Sequence, residues 1–488
     1  MRALEEETVP LEQKRDTGVR IFQNAVAFLG GEFFYRLINF FACILIARSL
    51  GGEGYGQFSF IYVYLSFFEI FVQFGLNPVL TRELSQQSEA APRILGNALI
   101  LRTALICFSL PMVWGLIRLA GYPVTVQQGV WLASFQLFLT LRPVFEATFR
   151  VQLLMIYPAL WNAVRALLNL GLIAVVTLYS PSLPLYIAAY FVSGVVGLAG
   201  IAYSSSRRVP FDFQIKKSLV AHLMRQSFPM VLSGYLTLIY YRVDVMMLSF
   251  MRTFKEVGYY SVATRLTESL NMLHGALLVS FFPLFARAFK ESRSEFEALF
   301  SNAFKWLSLA GLPLVLGGTL VAKDLILLFF GAEYAPSGTT FMILLGYTFF
   351  CFIGSLLANV LIASGKQVAD MWISFFLALF NIALNVFLIP FYSYNGAAIA
   401  TVLTEVVGVG IYFWYGARNA DIRLFFPRRE WWSALKINLL FLALLLSVRW
   451  LFSLSALPLI LAGAFIYAGL LFLFRVISWR MLKTYAFQ

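Results

Sequence analysis

The chain has 488 residues, 60% hydrophobic and only 12% charged, with a mean hydropathy of +0.79. Soluble globular domains do not reach that balance, so the sequence describes a polytopic membrane protein. The net charge of +13 is divided among several short segments; this excludes a nucleic-acid patch and fits basic loops lying beside anionic headgroups.

Residues 1–20 are polar and of mixed charge, and the apolar run after them is too long for the core of a signal peptide. Requiring roughly 20 mostly apolar residues per crossing, and cutting at polar or turn-rich breaks, predicts an all-α integral membrane protein with about 14 helices. They run near 21–47, 57–80, 94–120, 124–148, 154–180, 185–203, 222–250, 257–285, 300–321, 338–363, 367–390, 396–416, 433–452 and 455–477. With the N-terminus inside, Arg93, Arg150, Arg207, Arg208, Lys216, Arg287, Lys366, Arg418 and Arg428 fall in inner segments, whereas the outer ones hold few bases, among them Arg48, Arg252 and Lys255. Cytoplasmic loops keep positive charge, so both termini are expected in the cytoplasm.

An internal repeat organises the predicted helices. Gly54-Tyr55-Gly56, followed by an apolar run with Glu69, Pro78 and Arg82, is matched by Gly258-Tyr259-Tyr260, followed by a run with Arg265, Glu268 and Pro283. Asn169 in the fifth helix and Gly197 in the sixth correspond to Asn385 in the eleventh and Gly408 in the twelfth. Six helices return the chain to the same side, so the repeat is parallel, and such repeats place substrate near the bilayer midplane. The expected organisation is two pseudo-symmetric six-helix lobes, 1–203 and 222–416, joined by a cytoplasmic linker at 204–221, with helices thirteen and fourteen and a tail in 417–488.

Charges inside apolar runs require explanation, because each costs on the order of 2.5–3.5 kcal/mol at the bilayer centre. Glu32 and Arg36 share a helix face, as do Arg142 and Glu146, and Arg265 and Glu268; each is either a structural pair or part of a cavity wall. Arg242 and Asp244 are two apart and point different ways. Arg165 has no acid on its own helix and lies on a stripe with Asn162 and Asn169, which reads as a cavity wall. The three cysteines (Cys43, Cys107, Cys351) fall in apolar runs and read as packing residues. His222 and His274 read as polar residues on interior helix faces, and neither metal nor cofactor is expected. The Gly311–Gly318 string lacks the Lys-Ser/Thr ending of a phosphate loop.

Three stretches carry a family resemblance: Asp244-Val-Met-Met-Leu, Glu256-Val-Gly-Tyr-Tyr-Ser-Val-Ala-Thr-Arg265 and Phe281-Phe-Pro-Leu-Phe-Ala-Arg287. They resemble the second-half signature of the bacterial polysaccharide (O-antigen, Wzx-like) flippases of the multidrug/oligosaccharidyl-lipid/polysaccharide exporter superfamily. The first-half counterpart is Ala47-Arg-Ser-Leu-Gly-Gly-Glu-Gly-Tyr-Gly56, closed by Thr81-Arg-Glu-Leu84. The resemblance implies a transporter of the bacterial inner membrane, not an enzyme, that moves a polyprenyl-pyrophosphate-linked oligosaccharide from the inner to the outer leaflet. Its partners would be membrane lipid, the lipid-linked glycan, and a polysaccharide polymerase with other assembly proteins. Arg36, Arg165, Arg242 and Arg265 are the expected substrate-binding residues of an inter-lobe cavity, since guanidinium forks match phosphate oxygens. Glu32, Glu69, Asp244, Glu268, Asn162 and Asn169 are expected to serve the cavity or ion coupling. A cation-coupled multidrug antiporter and a peptidoglycan lipid flippase are the alternatives, and the shortness of the outer loops argues against a membrane-embedded glycosyltransferase.

Overall fold

The computed structural model describes the backbone of residues 11–419, 421–422 and 424–476, and side chains from Gly30 onward except at 32, 88 and 276. Its helices are α1 (Leu11–Gln73), α2 (Leu76–Gln86), α3 (Ala91–Leu119), α4 (Val124–Ser134), α5 (Arg142–Val151), α6 (Ile156–Tyr179) and α7 (Leu183–Ser206). There follow α8 (Lys217–Met251), α9 (Phe254–Glu291), α10 (Arg293–Phe330), α11 (Ser337–Ala363), α12 (Gln367–Arg418), α13 (Arg428–Phe452) and α14 (Ala456–Leu473). No strand occurs among the described residues. By length and composition, eleven helical stretches among the described residues qualify to cross a membrane. The sequence-based figure of about 14 is higher for local reasons: α4 and α5 are each too short to qualify, and two long elements that contain breaks count once each.

Those two elements, α1 with 63 residues and α12 with 52, would run roughly 95 and 78 Å if straight, against a hydrocarbon core of about 30 Å. Each is interrupted by one non-helical residue, Gly51 (φ 67°, ψ −179°) in α1 and Ser393 (φ 52°, ψ −134°) in α12. In α12 the chain folds back on itself. Asn381 donates to Thr404 at 3.1 Å, Tyr412 donates to Asp370 at 2.7 Å, and a Cβ on Gly396 would lie 2.3 Å from the Leu388 carbonyl oxygen, contacts all centred on the break.

The expected second helix (57–80) is likewise divided. Phe74 (φ 48°) and Gly75 (φ 60°) separate α1 from α2, and Gly75 has no room for a side chain, since its Cβ would meet Met230 Cβ at 2.6 Å. The expected fourth helix (124–148) is α4, a 3-10 stretch Phe135–Leu141, and α5. Pro143 in the first turn of α5 has no N–H to continue an α ladder, so the turn before it tightens.

Residue contacts group the chain into two compact units: one up to Leu50 with Phe60–Leu238, the other Gly51–Ser59 with Ile239 onward. The boundary lies within α8, and the 204–221 segment of the expected linker belongs wholly to the first unit. That segment is strapped to α3. The Asp212 N–H donates to the Pro92 carbonyl (2.9 Å), Arg93 Nε to Asp212 Oδ2 (3.1 Å), Asn97 Nδ2 to the Gln214 carbonyl (3.0 Å) and the Lys216 N–H to Asn97 Oδ1 (2.9 Å). Gly96 permits this, as a Cβ there would lie 1.9 Å from the Asp212 carbonyl oxygen.

The second unit repeats the device. Arg293 at the start of α10 donates to the Asp421 carbonyl (2.8 Å), Lys366 Nζ reaches Asp421 Oδ2 (2.7 Å), and the Leu424 N–H returns to the Gly416 carbonyl (3.0 Å). Its core is α11, packed on α9, α10 and α12 through Phe352, Leu356, Leu357, Val360, Phe285 and Phe304. Helices α13 and α14 pack against α10 through Phe441, Leu445, Leu459 and Leu309. Between apolar helices in lipid, close fit rather than water exclusion supplies the attraction, so glycines recur at the closest approaches.

Candidate functional site

In the first unit the polar residues gather on α1, α5, α6 and α7. Gly197 on α7 is the point of convergence: a Cβ there would lie 3.2 Å from Arg165 Cβ, 3.3 Å from Arg165 Cδ and 3.4 Å from Arg142 Nη1. The bare backbone of Gly197 therefore lets two arginines lie side by side. Arg165 sits with its guanidinium 5.5 Å from the centre of the Tyr35 ring, a cation–π contact, and its charge acts on Glu69. Arg142 is buried, donates to Glu146 Oε1 at 2.6 Å and to the Pro158 carbonyl at 3.3 Å, and keeps Nη1 buried without a partner. Tyr62 accepts from Gln136 (2.7 Å) and lies 5.5 Å from the Tyr190 ring.

The remaining first-half candidates are placed as follows. Asn169 is buried, donating to Asn39 (3.5 Å) and accepting from Ser193 (3.3 Å), so it joins α1, α6 and α7. Its repeat partner Asn385 is buried too, donating to Asn381 Oδ1 at 2.9 Å. Asn162 is half-buried and Arg36 exposed. The Glu32 side chain lies outside the described residues.

In the second unit α8 and α9 build a charged triad. Glu268 accepts from Arg242 at 2.9 Å and from Arg265 at 3.3 Å, and the three side chains are 31% to 44% exposed, hence open to a ligand. Two guanidiniums on one carboxylate leave a net positive charge, with forks of the geometry that suits phosphate oxygens. Asp244, by contrast, is buried and points away. It accepts from Tyr260 of α9 and from the Val245 N–H (2.7 Å), and Tyr260 also meets Thr401 of α12. The partner that orients Arg242 is thus Glu268, from one helix over.

A second buried acid stands in the sequence only as a single charge in the twelfth helix, outside the expected site. Glu405 on α12 accepts from Tyr240 of α8, and Gly354 of α11 faces it so closely that a Cβ would stand 2.6 Å from its Oε1. The available signal was a lone acid in the twelfth helix; nothing in the sequence pairs it with Tyr240. Of the histidines, His274 is inside as expected, 3.2 Å from Ser355 Oγ, whereas His222 is 46% exposed and 3.2 Å from Glu83. It lies near the start of α8, where the helix emerges from its neighbours. Cys43 and Cys351 are buried and Cys107 is exposed.

Comparison with known proteins decides the family. The model of the polysaccharide biosynthesis protein family matches residues 21–289, more than half of the chain. The chain belongs to that family. Among curated relatives it is 23% identical over 414 residues, 81% of this chain and 83% of the relative, to the "Probable low-salt glycan biosynthesis flippase Agl15" of Haloferax volcanii. Its fold is shared with solved membrane transporters. It superposes on the lipid II flippase MurJ in an inward closed conformation with a TM-score of 0.76, at 16% identity, covering 94% of this chain and 100% of that one. An inward-facing multidrug resistance MATE family transporter gives 0.65 at 17% identity, over 82% and 96% of the two chains. For this family member, then, the multi-pass membrane architecture and the transporter fold are established together.

Proposed function

We propose that the protein is a lipid-linked oligosaccharide flippase, moving a polyprenyl-pyrophosphate-linked glycan from the inner to the outer leaflet by alternating access. The observation that carries this reading is membership of the polysaccharide biosynthesis family by a chain with the exporter fold. A pyrophosphate and its sugars cannot cross hydrocarbon unaided, whereas the polyprenyl tail can remain in lipid. Arg242 and Arg265 around Glu268, and Arg165 with Arg142 at Gly197, supply concentrated cationic groups for the phosphates. No bond need be made or broken. The relative named for glycan flipping and the structural neighbour named for lipid II support a lipid-linked sugar as cargo.

In this reading the setting is a bacterial inner membrane with both termini in the cytoplasm, the halves 1–203 and 222–416 act as rocking lobes, and a polymerase receives the cargo. Arg36 and Glu69 serve the same cavity. A second reading, a cation-coupled antiporter, is favoured by the buried acids Asp244 and Glu405, each hydrogen-bonded by a tyrosine. The two divide on which charges transport needs.

The test is glycan export in cells lacking their own flippase, with membrane abundance measured for each variant. Arg165→Lys and Arg242→Lys keep charge but lose the planar fork, so export should fall several-fold at normal abundance, and Ala should reduce it further. Normal export by well-expressed Arg165→Ala and Arg242→Ala proteins removes these residues from the site. Glu268 is the informative control: Glu268→Gln should release both arginines and alter export without loss of fold.

A further inference from the structure

The two copies of the glycine-tyrosine signature meet within the second unit. A Cβ on Gly56 would lie 1.7 Å from the Phe254 carbonyl oxygen, and one on Gly258 would lie 2.0 Å from that of Gly52. The fully buried Tyr334 ring stands edge-on to Tyr55 at 6.4 Å and to Tyr259 at 6.2 Å. The start of the second half of α1 is therefore seated backbone to backbone on the start of α9. The chain on either side of this short segment, up to Leu50 and from Phe60, groups with the first unit.

Glu333, in the turn between α10 and α11, fastens the segment. Gly51 breaks α1 and leaves the amides of a new first turn without intrahelical acceptors. The Gly52 N–H donates to Glu333 Oε1 at 2.6 Å, and the same carboxylate lies against Gly51, where a Cβ would be 3.0 Å from Oε2. An anion on a helix N-terminus is favourable both as a charge-assisted hydrogen bond and against the helix dipole. The repeat makes the residue conspicuous. The turn after α3 reads Gly121-Tyr122-Pro123 and that after α10 reads Gly331-Ala-Glu-Tyr334-Ala-Pro336, so the glycine, tyrosine and proline recur but the acid does not. Tyr122 packs on Phe60 at 4.6 Å, a contact made without any carboxylate.

We propose that Glu333 is a positioning residue for transport: its carboxylate holds Gly51–Ser59 on the second unit in one state of the cycle and releases it in the other. This rests on the reading of the protein as a transporter. The backbone contact at Gly56 and Gly258 carries no interlocked side chains, so parting it disturbs chiefly the edge contact of Tyr55 with Tyr334. One charge-assisted hydrogen bond then sets the balance between seated and released states by roughly tenfold to a hundredfold.

The test uses the full chain in lipid nanodiscs, carrying Cys107→Ser, with spin labels at Glu53→Cys and Tyr392→Cys, both exposed and both in the second unit. Pulsed electron resonance should show mainly one narrow, short distance. Glu333→Ala should add a long-distance population at unchanged abundance, while Glu333→Gln, whose amide oxygen still accepts from the Gly52 N–H but without the charge, should add a smaller one. An Ala variant with the parent distribution overturns the proposal, and so does a Gln variant that shifts further than Ala. The distances do not depend on the cargo: absence of glycan export by the parent chain would refute the flippase reading and leave this result standing.

Discussion

A guanidinium buried among helices needs acceptors, and the two Nη groups of Arg102 donate to the Thr140 carbonyl (2.7 Å), the Gln73 carbonyl (3.1 Å) and Asn77 Oδ1 (2.9 Å), while its Nε is buried without one. Gln73 ends α1 at the left-handed break, so Arg102 takes a carbonyl that the helix ladder no longer uses. Its buried hydrogen bonds give its charge a structural role, whereas Arg242 and Arg265 are proposed to meet the cargo. Arg102→Ala leaves three acceptors unpaired, at about 1–3 kcal/mol each, and should lower the melting temperature strongly in detergent. Glycines give the complementary case. Gly56→Ala and Gly258→Ala force the seated backbones apart and should lower the melting temperature while favouring the released state. Gly115→Ala and Gly171→Ala, with nothing within 4 Å of the new Cβ, should be neutral or stabilising by up to about 1 kcal/mol through helix propensity. Equal thermal stability across all four would contradict these packing assignments.

The straps are the element-scale feature of widest consequence. In each unit an arginine at the start of a long helix, Arg93 or Arg293, holds an aspartate residue of a later connecting segment, Asp212 or Asp421. The Gln214 amide, with Arg93 beside it, holds the Asp212 carboxyl below the ordinary carboxylate range. The Lys366 ammonium does the same for Asp421, and its own pKa is raised in return. A depressed carboxylate pKa contributes stability above its unfolded value, near 4, and loses it as pH falls through the folded one. Both straps should therefore hold unchanged from pH 5 to 8 and loosen only below about pH 4. Asp212→Asn keeps an acceptor for the Gln214 amide but loses the ion pair, so it should speed hydrogen exchange at 209–216 modestly. Gly96→Ala should speed it far more, because the backbone pairing itself is blocked. Uniform exchange in all three proteins would mean that the strap restrains nothing.

At the scale of the whole molecule, the distribution of Lys and Arg predicts a definite orientation. On that orientation the breaks at Gly51 and Thr253 and the turn at Gly331–Pro336 are expected on the outer face, and the two straps on the inner one. Single cysteines at Glu53 and Glu333 should react with a membrane-impermeant maleimide added to intact cells, and one at Gln214 only after the membrane is opened. Labelling in the reverse pattern would invert the proposed direction of transport. Release of cargo to the outer leaflet depends on this orientation, so the labelling result bears directly on the flippase reading.

Composition alone dictated the membrane, because a chain this apolar has no other stable solvent. Length per crossing and the positions of Gly and Pro fixed most helices, and the repeated Gly-Tyr signature announced two related halves. Adjacent charge pairs were also legible: Arg265 with Glu268 and Arg142 with Glu146 follow from helical spacing. Periodicity describes one helix at a time, so it could not say that Glu268 is shared with Arg242, that Asp244 and Glu405 answer Tyr260 and Tyr240, or that His222 emerges beside Glu83. It placed a break between 390 and 396 but could not assign it to Ser393, where a non-glycine residue takes a positive φ that only surrounding packing enforces. Those partners come from other helices, next in the chain for Arg242 with Glu268 and far along it for Tyr240 with Glu405, and the tertiary structure selects them by how the helices pack.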